Sequence, residues 1–386
     1  MGRSDVQAPL TTSRREDLLQ RTTAPSPIEH IVLIIKENHG FDNYFGTFPG
    51  ANGDATLGRA PNPPTSDPSH THESWLRRKS TSARLQYVEA DIPDYFALAR
   101  QFTLCDNYFT AVAGPSTPNH LMLITAASPV INNPHTYRGQ PQQTYNIPSL
   151  PDLLEKAGLT WGAYTTGYPF DLITNLHGRH RKDQSQFAAD AAAGTLPNVS
   201  WIYGGRGTDE HPLSNVTDGM RWTTALVDAV ASGPLWPKCA IFITWDDWGG
   251  WADHVDPPVL ETWTDGQQFF PGGRVGCLAL SPYAKRGYIS NVQHTHVSLV
   301  KFCEQTFRLP NLNARDAASD GMEDCFDFVA APDLTKPMTA SSTSTTAHAP
   351  TKTLPKRARK KTTPTTATSK LKRKRVVAKK TRKKRP

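Results

Sequence analysis

The 386 residues suffice for one large domain or two ordinary ones, and a 37% hydrophobic composition allows a sizeable core. No apolar run approaches the ~18 residues of a membrane-spanning helix. The polar stretch Met1 to Pro27 lacks the apolar core of a secretory signal, which favours a cytoplasmic setting. The net charge of +8 has to be split before it is used: from Lys352 onward lie 17 of the 43 basic residues and none of the 35 acidic ones, so the rest of the chain carries −9. An acidic body does not resemble a nucleic-acid groove, and the high isoelectric point belongs to the tail. The five cysteines (Cys105, Cys239, Cys277, Cys303, Cys325) form no CxxC pair. An odd, widely spaced set suits a reducing compartment better than a disulfide framework, and Cys239 and Cys277 sit in apolar, strand-like runs that read as buried thiols.

In chain order, residues 1–27 read as a flexible lead-in, and Ile28 to Lys36 is an apolar, β-branched run that fits a buried central strand. Gly46 to about Thr81, rich in Pro, Gly, Asp and Ser, reads as a loop or insertion. Asp94 to Phe102 has helical spacing, with Tyr95, Leu98 and Phe102 on one face. Ser149 to Gly158 reads as an N-cap, a helix and a glycine stop, and the strand-like Leu159 to Tyr164 follows it. Val199 to Tyr203 is a short strand candidate, and Asp218 is the expected cap of a helix through about Ala231. Cys239 to Trp245 is a strong buried strand, Val275 to Leu280 another, and Ser298 to Phe307 is helical. Strands alternating with helices predict an α/β fold, a mostly parallel central sheet flanked by helices on both faces, within a domain spanning 28–335. From about Lys336 the chain turns to Ser, Thr, Ala, Pro and then Lys/Arg blocks, and residues 336–386 are expected to be disordered.

Two of the apolar strands end in oxygen-bearing side chains: Ile31 to Lys36 runs into Glu37-Asn38, and Ile241 to Trp245 runs into Asp246-Asp247. Open α/β sheets bind ligands beyond the carboxyl ends of their strands. Adjacent Asp246 and Asp247 repel unless a cation or proton lies between them. Carboxylates with an amide oxygen favour a hard ion such as Mg, Ca or Mn. Gly249-Gly250 permits a tight turn beside the site. Each strand end taken alone could equally be a helix cap or a solvated loop; the two together point to one centre. A third element is Gly114-Pro-Ser-Thr-Pro-Asn-His120, ahead of the apolar helical stretch Leu121 to Ala126. It places a hydroxyl rigidly where a helix start favours an anion, although an ordinary Ser/Thr cap fits the same residues. A metal would lower the pKa of the Ser116 hydroxyl and make it a nucleophile; Thr117 is a rival that spacing does not exclude.

Glu37-Asn-His-Gly-Phe-Asp-Asn-Tyr-Phe-Gly46 resembles the E-N-R-S-F-D-x-Y-F-G signature of the bacterial phosphoesterase family, which comprises phospholipases C and related acid phosphatases within the alkaline-phosphatase superfamily. Gly114 to His120 resembles its G-P-[TS]-x-P-N-[RH] nucleophile motif, and Thr244 to Val255 its T-[WY]-D-[DE]-x-G-G-x-x-D-H-V motif. Asp209-Glu-His-Pro212 is similar to its S-E-H-P element. Gly273-Arg-Val, Leu280 to Tyr288, His296 and Lys301-Phe302 are similar to its closing segment. The likeness runs from about Ile28 to Phe328 in the family's order. It implies an alkaline-phosphatase-like fold and a metal-dependent hydrolase of phosphate esters, with a phospholipid or a soluble phosphomonoester as substrate. Glu37, Asn38, Asp246 and Asp247 would be metal ligands. Ser116 would be ligand and nucleophile, forming a phosphoenzyme that water hydrolyses, and His211 a leaving-group acid or phosphate ligand. Asn119, His120, Asp253, His254 and His296 would support the site or bind substrate, although a structural histidine is the competing reading for His254 and His296.

The sequence departs from the family at Gly167, where a His-x-Pro-Phe pattern would place a histidine; His177 and His180 follow downstream. His39 and His120 stand where arginine is common. Many relatives carry an export signal, whereas none is read here. A second reading, from another class, is a catalytically weak phosphoesterase-fold protein that binds nucleic acid or another polyanion through residues 352–386.

Overall fold

The computed structural model describes residues 26–134 and 142–339. The expected lead-in through residue 25 and the Lys/Arg-rich tail with its expected polyanion contact lie outside the described residues. Eight strands form the main sheet: β1 His30–Lys36, β2 Thr103–Cys105, β3 Trp161–Tyr164, β4 Arg181–Lys182, β5 Val199–Tyr203, β6 Cys239–Trp245, β7 Cys277–Leu280 and β8 Tyr288–Ser290. Their order is β8-β2-β7-β6-β1-β5-β3-β4. Only β7 runs against both of its neighbours; the remaining pairings are parallel. The longest strands, β1 and β6, are central and buried nearly throughout, which is why their sequences are continuous apolar runs rather than alternating ones.

The principal helices are α1 Phe41–Phe45, α2 His72–Leu76, α3 Pro93–Gln101, α4 Ser116–Thr125, α5 Leu150–Lys156, α6 Phe187–Ala193, α7 Val216–Ser232 and α8 His296–Phe307. Leu33, Trp201 and Phe242 are in register across β1, β5 and β6 and share one face of the sheet. On that face the Trp201 indole donates to the Leu123 carbonyl of α4 at 3.3 Å, and the Phe242 ring meets Phe302 of α8 at 5.0 Å between centroids. Lys36 and Trp245, in register on the opposite face, reach α7 and α3: Lys36 Nζ donates to Gly219 O at 3.4 Å and Trp245 packs on Tyr95 at 5.4 Å. Helices therefore cover both faces, as the strand–helix alternation predicts.

The differences from the sequence reading are local. The cap of α7 is Asn215, whose side chain accepts the Thr217 and Asp218 amides at 2.9 and 3.2 Å, and Asp218 lies in the first turn. Helix α8 begins at His296, two residues before the expected Ser298, because Thr295 caps it. Helix α4 begins at Ser116 rather than Leu121, and all ten of its residues are buried. The Gly46 to Thr81 segment is mostly irregular but carries α2 and a two-residue strand, and it packs its residue His70 into the candidate site. Among the described residues, no helix is long and apolar enough to cross a membrane.

Candidate active site

The adjacent parallel strands β1 and β6 bring Glu37-Asn38 and Asp246-Asp247 together at their carboxyl ends. The Asp246 amide donates to Lys36 O at 2.9 Å, and the Asn38 amide donates to Asp246 Oδ1 at 2.8 Å. Asn38 adopts a left-handed backbone, φ 61°, a conformation that asparagine tolerates better than most residues. Its carbonyl accepts the Trp251 indole N–H at 2.9 Å. Gly249 is needed for this approach: its φ is 61°, and a Cβ there would lie 2.0 Å from Asn38 O.

Three carboxylates crowded at one pair of strand ends repel one another. Burial, then the Asp247 charge, raises Glu37 to about 7. Burial, then Asp247 and Glu37, holds Asp246 well above the ordinary carboxylate range. Buried donor atoms also lack partners: Asn38 Oδ1, Asp246 Oδ2 and His120 Nε2 make no hydrogen bond. His120 Nε2 lies 3.3 Å from Glu37 Oε1 and 3.4 Å from Asp246 Oδ2. Glu37, His120 and Asp246 each offer a ligand atom within 4.8 Å of the others. Unpartnered, mutually repelling donors at this spacing fit a divalent cation. His120 adds a nitrogen to the oxygen set read from sequence.

Ser116 opens α4 on the far side of this centre, and its hydroxyl donates to Asp247 Oδ2 at 3.0 Å. Thr117 is turned elsewhere, its Oγ1 paired with the Tyr168 hydroxyl at 2.9 Å. Asn119 shapes the approach: its Oδ1 accepts the Val112 amide at 2.7 Å, and its Nδ2 donates to Gly114 O at 3.3 Å and Pro115 O at 3.0 Å. It thus clamps the Gly-Pro turn that delivers Ser116.

His211 is presented by a loop with a buried charged anchor. The preceding Glu210 has φ 72° and is fully buried. Its carboxylate accepts from Tyr44 at 2.8 Å, Tyr95 at 2.6 Å and the Trp245 indole at 3.0 Å, and pairs with Lys36 at 3.2 Å. His39 braces the same residue through the Glu210 carbonyl at 2.9 Å, so this departure from arginine faces the loop rather than the acidic centre. His211 Nδ1 donates to Pro212 O at 2.6 Å, leaving Nε2 beside Asn38 Nδ2 at 3.2 Å. A second histidine, His70, repeats the arrangement: Nδ1 meets Pro68 O at 2.8 Å, while Nε2 lies 3.3 Å from Asn38 Nδ2 and 4.0 Å from Asp247 Oδ2. Burial lowers both imidazoles, but it is outweighed at His70 by the Asp247 charge and then the Pro68 carbonyl, and at His211 by the Pro212 carbonyl and then Asp67 and Glu37, so both are raised. In its neutral form each Nε2 accepts from Asn38 Nδ2, and on gaining a proton it becomes a donor toward the space beside Asn38.

The sequence reading missed His70, since it lies in a Pro/Ser-rich stretch without periodicity. The spacing Asp67-Pro-Ser-His70 carries no recognisable signal. The Gly167 departure has a steric cause: Gly167 has φ 132°, and a Cβ there would lie 2.3 Å from Asp171 Oδ2. His177 and His180 do not substitute. Both are exposed, and His180 pairs with Glu155 at 3.3 Å.

Asp253, His254 and His296 stand behind the centre. Asp253 accepts from Arg274 Nε at 3.1 Å, and the exposed His254 ring meets Asp42 Oδ2 at 2.7 Å, beside the buried pair of Arg274 with Asp42 at 2.9 Å. His296 donates from Nε2 to the Asp246 carbonyl at 2.7 Å and accepts the Tyr108 hydroxyl at 3.0 Å, with burial pushing it down to about 3, so it stays neutral. His211 also lines a cleft of about 570 Å³ whose wall includes Arg206, Asp209, Pro212 and Leu213.

A hydroxyl against an acidic, cation-fitting pocket, flanked by two histidines at the carboxyl end of an α/β sheet, is the constellation of a phosphoric ester hydrolase. The chain belongs to the phosphoesterase family, whose model matches residues 28–65 and 68–310. It is 30% identical to phospholipase C B of Mycobacterium tuberculosis over 80% of both chains. It is 27% identical to the non-hemolytic phospholipase C of Pseudomonas aeruginosa, covering 78% of this chain and 57% of that one. Among solved structures, human ectonucleotide pyrophosphatase/phosphodiesterase 5 aligns over 74% of this chain and 96% of its own with a TM-score of 0.45 and 10% identity, a likeness too distant to support any argument.

Proposed function

We propose that this protein is a metal-dependent phospholipase C that works through a phosphoserine at Ser116. The observation that carries this reading is the Ser116 hydroxyl donating to Asp247 Oδ2 at 3.0 Å, inside a pocket of unpartnered metal-type donors. The names of the two relatives support a phospholipid as substrate. Glu37, Asn38, Asp246 and Asp247, with Ser116 and His120, would hold one divalent cation, which when bound neutralises the carboxylates and stabilises negative charge on the nucleophile and the phosphoryl group. The nitrogen of His120 moves the preference within Mg, Ca and Mn toward Mn, the ion of the three most tolerant of imidazole.

Ser116 Oγ attacks phosphorus as its proton passes toward Asp247. The P–Oγ bond forms while the bond from phosphorus to the glycerol oxygen breaks. Protonated His211, at the mouth of the cleft, gives its proton to the departing alkoxide. Water then attacks phosphorus and gives a proton to His211 while the P–Oγ bond breaks, and the proton held at Asp247 returns to Ser116 Oγ. His70 and Asn38 Nδ2 orient the non-bridging oxygens throughout. A panel of phosphatidylcholine, p-nitrophenylphosphorylcholine and p-nitrophenyl phosphate tests the substrate class: turnover of both choline esters is expected to exceed that of the monoester. Equal or better hydrolysis of the monoester would make the enzyme a phosphatase. Acid-quenched protein should carry phosphate on Ser116, and its absence during turnover would sink the covalent route.

A further inference from the structure

A second group of metal-type ligands lies outside the site described above. Cys105 ends β2, His294 precedes α8, and Asp320, Asp324 and Cys325 belong to the turn that closes the described chain against the sheet edge. Cys105, His294 and Cys325 are fully buried, and their ligand atoms lie within 4.8 Å of one another. The two sulfurs are 3.6 Å apart and unbonded. Cys325 Sγ lies 3.6 Å from Asp324 Oδ1, and His294 Nε2 lies 3.2 Å from that same oxygen.

We propose that Cys105, Cys325, His294 Nε2 and Asp324 Oδ1 form a structural zinc site. A tetrahedral ion with bonds of about 2.3 Å to sulfur and about 2.0–2.1 Å to nitrogen or oxygen requires ligand separations of about 3.8 Å for two sulfurs, about 3.5 Å for sulfur and oxygen, and about 3.3 Å for nitrogen and oxygen. Three of the six separations, 3.6, 3.6 and 3.2 Å, match these within a few tenths of an ångström, and Cys105 and Cys325 each lie within 4.8 Å of His294. The outer contacts also have the form of a metal site. The other nitrogen of His294 lies 2.8 Å from Asp320 Oδ1, and the Ser290 hydroxyl holds the second oxygen of Asp324 and also lies 3.1 Å from His294 Nε2, a contact the ion would replace. A ligand histidine commonly has a carboxylate beside its remaining nitrogen, which favours one tautomer. Four ligands from three distant chain segments leave no open position for substrate, so the role is to staple β2, the start of α8 and the closing turn. On binding, the thiol protons of Cys105 and Cys325 and any proton on His294 Nε2 pass to solvent. The staple bears on the active site through position, since His296, which supports the Asp246 carbonyl, follows His294 by two residues.

The test uses the full-length protein loaded with cobalt in place of zinc, together with metal analysis of the zinc-grown protein. Wild type and Asp247→Asn are both expected to show thiolate-to-cobalt charge-transfer absorption, because the oxygen and nitrogen donors of the active site produce none. Asp247→Asn should retain one equivalent of zinc. Cys325→Ser should lose both the absorption and that equivalent. Absence of the charge-transfer band in wild type overturns the site without recourse to a variant that fails to fold. A disulfide between Cys105 and Cys325 in the native protein, or loss of the zinc equivalent from Asp247→Asn, overturns it as well.

Discussion

Ser116 and Thr117 are neighbouring hydroxyls at the start of one helix, and their partners separate them. Ser116 faces Asp247, and Thr117 faces Tyr168. Replacing Ser116 by Ala is expected to lower kcat by about 10³-fold or more with KM little changed, since the reacting atom itself is lost. Thr117→Ala should leave kcat within about a few-fold of wild type, because that hydroxyl faces Tyr168 and not the acidic centre. Steady-state kinetics on p-nitrophenylphosphorylcholine read both, and the reverse ranking would transfer the nucleophile to Thr117. His120 is the residue whose part changed most between sequence and structure. It read as a supporting position, and the fold gives it two carboxylates and no hydrogen-bond partner. His120→Ala is expected to weaken binding of the active-site metal about 10- to 100-fold, measured by calorimetric titration of metal-free protein. Unchanged affinity would return His120 to a structural role.

At the scale of elements, the loop carrying His211 shows how a motif divides between chemistry and support. The histidine of Glu210-His211-Pro212 reads from sequence as functional. What the glutamate does depends on four side chains distant in sequence: Lys36 from β1, Tyr44 from α1, Tyr95 from α3 and Trp245 from β6. Glu210→Ala leaves the Lys36 ammonium buried without its charge partner, an arrangement that costs about 3–5 kcal/mol. Urea unfolding should show this loss, and a stability unchanged within about 0.5 kcal/mol would remove Glu210 from its anchoring role. Element positions were otherwise legible because β1 and β6 are uninterrupted apolar runs and α5 has both its Ser149 cap and its glycine stop. Helix starts at Asn215 and Thr295 were missed because capping oxygens occur at several adjacent positions, and only the backbone selects the one that reaches the free amides. His70 was illegible because a lone histidine in an irregular segment has no periodicity, and its approach to Asn38 is a tertiary event.

For the whole molecule, the acidic centre couples metal, protons and stability. Burial and then the Asp247 charge move Glu37 from 4.5 to about 7, so in the metal-free protein the folded state holds this proton more tightly than the unfolded state. The resulting penalty is absent below the unfolded value of 4.5, grows as pH rises toward about 7 and is complete above it. Asp246 adds to it in the same direction. Metal-free protein should therefore lose thermal stability across that interval, and added Mn should raise Tm progressively more as pH increases, with proton release on binding. Thermal scans with and without chelator across pH 5 to 8 read this, and a metal-induced Tm shift independent of pH would contradict it.

The sequence by itself determined the α/β class, the two strand ends that carry Glu37-Asn38 and Asp246-Asp247, and the family. These follow from apolar runs and contiguous motifs, which are local properties of the chain. The tertiary structure alone decided that Ser116 rather than Thr117 faces the carboxylates, that His70 and His120 join them, and that Asp253, His254 and His296 stand behind them. Each of those facts depends on which distant segments the sheet order places side by side, and no spacing along a single chain encodes that proximity.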